Sequence, residues 1–169
     1  DNEDELRVAR QIQEDLLPDG PPNIDNFDIA GASRPAEWAS GDYFDYFSMQ
    51  DGSLAVVIAD VSGHGVGPAL LMSETRAFLR ALSQTRNDVG EILTLANQSI
   101  AQDMEQGRFV TIFLTRLDPV SRSAIYTSAG HNGYLLRSSG EAQILNPTGL
   151  ALGIDPETVL PNGPPIDLA

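Results

Sequence analysis

The stretch from Gly41 to Gly65 constrains the fold more than any other part of this chain. It runs Gly41-Asp42-Tyr43-Phe44-Asp45, Tyr46-Phe47-Ser48-Met49, Gln50-Asp51-Gly52, then Leu54-Ala55-Val56-Val57-Ile58-Ala59 and finally Asp60-Val61-Ser62-Gly63-His64-Gly65. Two runs rich in aromatic and β-branched residues, separated by Asp-Gly, predict a β-hairpin. With a three-residue loop and Gly52 in the left-handed conformation, Asp42 falls directly opposite Asp60. Their Cβ atoms then stand roughly 5 Å apart. A two-residue Asp51-Gly52 turn shifts the register by one and places the same residues on opposite faces.

Ionised carboxylates that close repel unless they share a proton or a cation, and the glycines beside both leave room for an ion and a ligand. A hard divalent metal with oxygen ligands is one resolution. The other is that these are solvated turn residues and helix caps, with Gly63 and Gly65 serving only the turn into the next helix. Spacing alone leaves both readings open.

Along the chain the pattern is a helix, strands, two helices and strands again. Leu6, Ala9, Ile12, Leu16 and Leu17 recur at helical spacing until Pro18, Gly20, Pro21 and Pro22 end the run. Strands are predicted at Phe27 to Ser33, Tyr43 to Met49 and Leu54 to Ala59. Pro68 suits a first helical turn, followed by a stripe of Leu71, Thr75, Phe78 and Leu82. Asp88 with Glu91 makes a capping-box-like start for a second helix with the stripe Val89, Ile92, Leu93, Ala96 and Ile100. Phe109 to Leu117, Ala124 to Ser128, Tyr134 to Arg137 and Ala142 to Leu145 read as an antiparallel meander. Because Leu54 to Ala59 is apolar on both faces, it needs cover on both sides, which predicts layers of helix, sheet, sheet and helix.

Composition narrows the function classes. The 24 acidic side chains against 10 basic ones give a net charge of -14, which argues against nucleic-acid binding by phosphate neutralisation. The absence of cysteine removes disulfides, thiolate zinc sites and a cysteine-nucleophile mechanism. With no apolar run of membrane length and no signal peptide, the expectation is a cytoplasmic domain without membrane insertion. Asp1 at the start and the Pro-rich final stretch suggest a piece of a longer protein.

Ser40-Gly41-Asp42-Tyr43-Phe44-Asp45 followed by Asp60-Val61-Ser62-Gly63-His64-Gly65-Val66-Gly67-Pro68-Ala69 resembles the metal-dependent serine/threonine phosphatases of the SpoIIE and RsbU type, a branch of the PP2C-like superfamily. The resemblance extends in order from Gln11 to Pro18 through Arg34-Pro35-Ala36, Phe109-Val110-Thr111 and Ala129-Gly130-His131-Asn132 to Gly149-Leu150-Ala151-Leu152-Gly153. It implies an α+β fold, a four-layer α-β-β-α sandwich of two antiparallel sheets flanked by helices. Residues 1–20 are expected to form a linker or switch helix and residues 21–169 the phosphatase domain. It also implies two Mn²⁺ or Mg²⁺ ions and hydrolysis of phosphoserine or phosphothreonine by a metal-activated water. Asp60 matches the aspartate that bridges the metals, Val61 offers a backbone carbonyl, and Asp42 matches the first acidic motif. The family's further metal-binding aspartates, in a Thr-Asp-Gly type motif and near its C-terminus, have no counterpart before Ala169. A catalytically incomplete, partner-binding module is therefore the alternative.

The implied partners are a phosphoprotein, a small anti-sigma-factor antagonist of a partner-switching pathway, and an upstream sensory or receiver domain. A homodimer through the N-terminal helix is a further expectation, against simple packing of that helix on its own domain. Among the remaining residues, His64 is a candidate proton donor to a leaving serine oxygen, or a solvated turn residue. Gly63 and Asp45 are minor candidates. Arg34 suits a forked grip on phosphate or a surface ion pair. His131 is read as a hydrogen-bonding loop residue, and Trp38 as packing or cleft lining.

Overall fold

The hairpin is present as β1 (Asp42–Ser48) and β2 (Leu54–Val61) in the computed structural model, which describes residues 2–34, 41–103 and 107–169. Met49 N–H donates to the Ser53 carbonyl at 2.8 Å, leaving Gln50, Asp51 and Gly52 as a three-residue loop with Gly52 at φ +83°. That loop sets the register in which Asp42 pairs with Asp60 and Ser48 with Leu54. Asp51 accepts the Ser53 N–H at 3.0 Å and pairs with Arg116 of the neighbouring strand. Burial alone raises its pKa, but the bonds from Ser53 and Arg116 prevail and bring it down to about 2.

β2 pairs with β3 (Val110–Asp118), and β3 with β4 (Ser123–Ala129), all antiparallel. The expected meander breaks after β4. Gly130 adopts φ +69° and its N–H bonds Gly149 O at 3.0 Å, so β5 (Gly133–Leu136) leaves the sheet and pairs only with β6 (Ala142–Leu145). The short β7 (Ile166–Asp167) completes a sheet of order β1-β2-β3-β4-β7. The β5–β6 hairpin lies over one face of that sheet through Leu135 and Leu145, which join Phe113, Leu117, Ala124 and Tyr126. It leaves Ile58 of β2 49% exposed, so the cover expected over both faces of that strand is partial on this side.

The opposite face carries α2 (Val66–Leu82) and α3 (Val89–Asp103), whose Met72, Leu79, Ile92, Leu93 and Ile100 form the main core with Tyr43, Val57, Ile112 and Leu114. All five apolar positions expected for α3 are buried, and Asp88 caps its first turn by accepting the Glu91 N–H at 3.1 Å. Glu91 turns to Arg86 at 3.0 Å instead of closing a capping box. In α2 the buried stripe is Pro68, Ala69, Met72, Thr75 and Leu79, rotated from the expected one. The reason is that α2 has two neighbours: α1 (Asn2–Leu16) packs Ala9 on Ala69 beside Ile12 and Val66. α1 thus sits on its own domain.

The two antiparallel sheets and their flanking helices agree with the expected architecture, and among the described residues the helices lie on one side of the sheet pair. Phe27 to Ser33 forms no strand; Gly31 lies close on the Phe44 and Tyr46 side chains instead of pairing with a sheet edge. Pro35, Ala36, Trp38 and Ser40 lie outside the described residues. No helix among the described residues is long and apolar enough to cross a membrane.

Candidate active site

The open end of the β1–β2 hairpin assembles the acidic residues. Val61 N–H donates to Gly41 O at 3.0 Å, which makes that facing pair a hydrogen-bonded one. The next pair, Asp42 with Asp60, is therefore of the non-hydrogen-bonded kind, in which Cα atoms approach to about 4.5 Å and side chains come closest. Both carboxylates are exposed. A Cβ on Gly41 would lie 2.2 Å from the Val61 carbonyl oxygen, so only glycine lets the two strands meet there.

The pair is electrostatically uneasy. Partial burial raises the Asp60 carboxyl above its ordinary range, and the charge of Asp42 and a hydrogen bond between the two carboxyls push it further, against a smaller opposing pull from His131. A divalent cation would relieve this repulsion, and the oxygen-only donors suit Mn²⁺ or Mg²⁺. The pair fits such an ion as a partial ligand set. No group of three or more acidic or histidine side chains that could hold a metal occurs among the described residues.

Around the carboxylates is a cleft of about 260 Å³ lined by Ser33, Arg34, Asp42, Ile58, Asp60 and His131, among others. Arg34 is exposed at its rim and makes no ion pair among the described residues. His131 enters from the turn between β4 and β5, its Nδ1 3.4 Å from Thr111 Oγ1. His64 is exposed on the Ser62–Gly65 loop and does not line the cleft. Gly63 and Gly65, at φ +90° and +96°, carry the chain from β2 into α2 in a conformation that favours glycine.

Asp45 is corrected from a minor metal candidate to a structural anion. It stands an odd number of residues from Asp42, so strand alternation turns it to the helix face, where it is 0% exposed. Arg80 of α2 grips it bidentately at 2.6 and 2.7 Å, Arg76 stands 3.9 Å away, and the Tyr43 hydroxyl donates to it. The bond to Asp45 raises the Arg80 pKa, while burial and then Asp45 raise that of Tyr43. Sequence reasoning missed Arg80, Thr111 and Ser128. The alternation in β1 was available to exclude Asp45, but nothing local names Arg80, 35 residues away.

The family model described as stage II sporulation protein E (SpoIIE) matches residues 50–163. Phosphoserine phosphatase RsbU of Bacillus subtilis (strain 168) is 31% identical over 152 residues, which cover 89% of this chain and 45% of RsbU. The chain thus spans less than half of that relative. Among solved structures, the RsbU and RsbW domains of Rv1364c from Mycobacterium tuberculosis match with a TM-score of 0.62 at 30% identity, over 74% of this chain and 36% of that one. The PP2C phosphatase domain of SpoIIE from Bacillus subtilis, with part of its regulatory domain, matches in fold with a TM-score of 0.65 at 17% identity, over 76% of this chain and 38% of that one.

Proposed function

The chain belongs to the SpoIIE family, and from that membership and the opposed carboxylates we propose that it is a PP2C-like protein serine/threonine phosphatase dependent on Mn²⁺ or Mg²⁺. The observation that carries the reading is the Asp42–Asp60 pair, two exposed carboxylates in closest register, with the ionisation of Asp60 opposed by partial burial and then by Asp42. Asp42, Asp60 and the Val61 carbonyl are the groups that would hold the metal. Bound there, it supplies positive charge that acidifies water and neutralises phosphoryl oxygens. Gly41 allows the strands to close on Val61 O. Arg34 offers forked donors to the phosphate from the rim of the cleft. His64 lies outside the cleft lining, so as proton donor to the leaving serine oxygen it would have to move in from its exposed loop.

The similarity to RsbU supports phosphoserine or phosphothreonine on a small regulatory protein, an anti-sigma-factor antagonist in a cytoplasmic partner-switching pathway, as the substrate. Residues 1–20 then act as a linker or switch helix from an upstream sensory or receiver domain and as a dimer contact. A second reading, a phosphatase-like module that binds a partner without turnover, is favoured by the ligand count of the acidic pair.

Hydrolysis of p-nitrophenyl phosphate, assayed with Mn²⁺ or Mg²⁺ and again in excess EDTA, tests the first reading. Metal-dependent turnover abolished by EDTA is expected, and turnover that persists in EDTA overturns it. Absence of turnover, with calorimetry showing at most one weak Mn²⁺ site, favours the second.

A further inference from the structure

We infer that the His131 imidazole contacts the phosphoryl group of the substrate, as a second phosphate-binding side chain beside Arg34. The inference rests on the phosphatase reading and deepens it. A phosphate monoester dianion entering this cleft meets two carboxylates, so it needs donors from the protein as well as a cation. Within the cleft lining the side chains that can donate are Ser33, Arg34, Tyr43 and His131, and the Tyr43 hydroxyl is already committed to Asp45. Arg34 sits on an irregular segment. His131 is held far more firmly.

Its turn is fixed without help from the ring. The Ser128 hydroxyl, on a fully buried residue, accepts the His131 N–H at 3.2 Å and donates to the His131 carbonyl. The Ser128 carbonyl accepts from Thr148 and Gly149, and the Gly130 N–H reaches Gly149 O at 3.0 Å. Among the described residues the only hydrogen bond to the ring is the long 3.4 Å contact of Nδ1 with Thr111 Oγ1. A histidine kept only to hold its loop would bond through the ring. Here the backbone and Ser128 hold the loop, the Thr111 contact orients the ring, and Nε2 has no hydrogen-bond partner among the described residues. Thr111 Oγ1 also stands 3.5 Å from the Asp60 carbonyl, which places the ring's one orienting contact beside the strand that carries Asp60.

The test is binding of inorganic phosphate to the Mg²⁺-loaded protein, followed by calorimetry and by the histidine ring resonances. The chain has two histidines, so a His64→Gln variant assigns both signals. Phosphate is expected to shift the His131 ring signal saturably. His131→Ala and His131→Asn are expected to weaken phosphate binding and lower kcat/KM by about tenfold, the loss of one hydrogen bond to a charged group, with Mg²⁺ affinity unchanged. An unmoved ring signal, or phosphate binding by both folded variants equal to wild type, overturns the inference. Loss of Mg²⁺ affinity in the variants also overturns it, by making His131 a metal ligand. A wild-type protein that neither binds phosphate nor hydrolyses esters overturns the phosphatase reading and this inference together, whereas an active protein indifferent to His131 overturns this inference alone.

Discussion

Replacing Asp60 by asparagine isolates the charge at the open end of the hairpin. The amide keeps the shape of the carboxylate, so the packing of β2 is retained and the change is one negative charge facing Asp42. Two unit charges about 4 Å apart in water repel by about 1 kcal/mol, and this aqueous limit applies because both side chains are exposed. Without divalent cation, Asp60→Asn is therefore expected to stabilise the protein by about 1 kcal/mol at pH 7, or about 2–4 °C in Tm for a chain of this size. The pH dependence follows from the direction of the shift. Asp60 titrates above the ordinary carboxylate value of 3.8, so its ionisation costs the folded state more than the unfolded one. The penalty is absent below the unfolded value of 3.8, grows as pH rises from there to the raised folded value, and is constant above it. Wild type and variant should be nearly equal near pH 3 and diverge toward pH 7. Urea unfolding in EDTA across that range measures the gap. Added Mg²⁺ or Mn²⁺ should then favour wild type, which binds the ion better and gains by mass action, and the variant should have lost turnover. A variant less stable than wild type at pH 7 in EDTA, or a gap that does not change with pH, refutes the repulsion argument.

Arg80→Ala strands the fully buried Asp45 carboxylate with only the 3.9 Å contact to Arg76 and the Tyr43 hydroxyl. It should cost about 3 kcal/mol in denaturant unfolding, the low end for a broken buried pair because Arg80 is itself about a third exposed. The double change Asp45→Asn with Arg80→Met should cost less than the sum of its parts, and additive losses would show that the pair is not coupled. Gly41→Ala places a Cβ 2.2 Å from Val61 O and should cost more than about 1 kcal/mol while weakening Mn²⁺ binding in calorimetry. Unchanged Mn²⁺ binding by a folded Gly41→Ala protein would remove the Val61 carbonyl from the ligand set.

The hairpin was legible in the sequence because its information is local: Asp51-Gly52 selects the loop, the loop selects the register, and the register places Asp42 against Asp60. The α3 stripe was legible for the same reason, since its buried apolar residues fall on a single stripe at helical spacing. What was hidden depends on contacts between distant segments. α2 serves two neighbours, so its apolar residues spread over two stripes and the buried one could not be picked out. Phe27 to Ser33 has strand composition, yet a strand also needs a partner edge, which composition does not reveal. The meander was misread at Gly130, where one left-handed glycine sends β5 out of the sheet and aims His131 into the cleft. Asp45 was misjudged because its partner Arg80 lies on the helix across the sheet.

β1 carries one acid on each face, and this bears on how faithfully the chain assembles. A slip of one residue between β1 and β2 would turn every side chain over. Asp42 would then turn to the helix face in the buried place of Gly41 or Tyr43, and Asp45 would lose the fork of Arg80. The nearest wrong pairing thus buries an unmatched charge and is penalised by several kcal/mol. The two acids work as a checksum on strand assembly: only a hairpin zipped in the correct phase balances both charges, and that same phase is the one that brings Asp42 to Asp60.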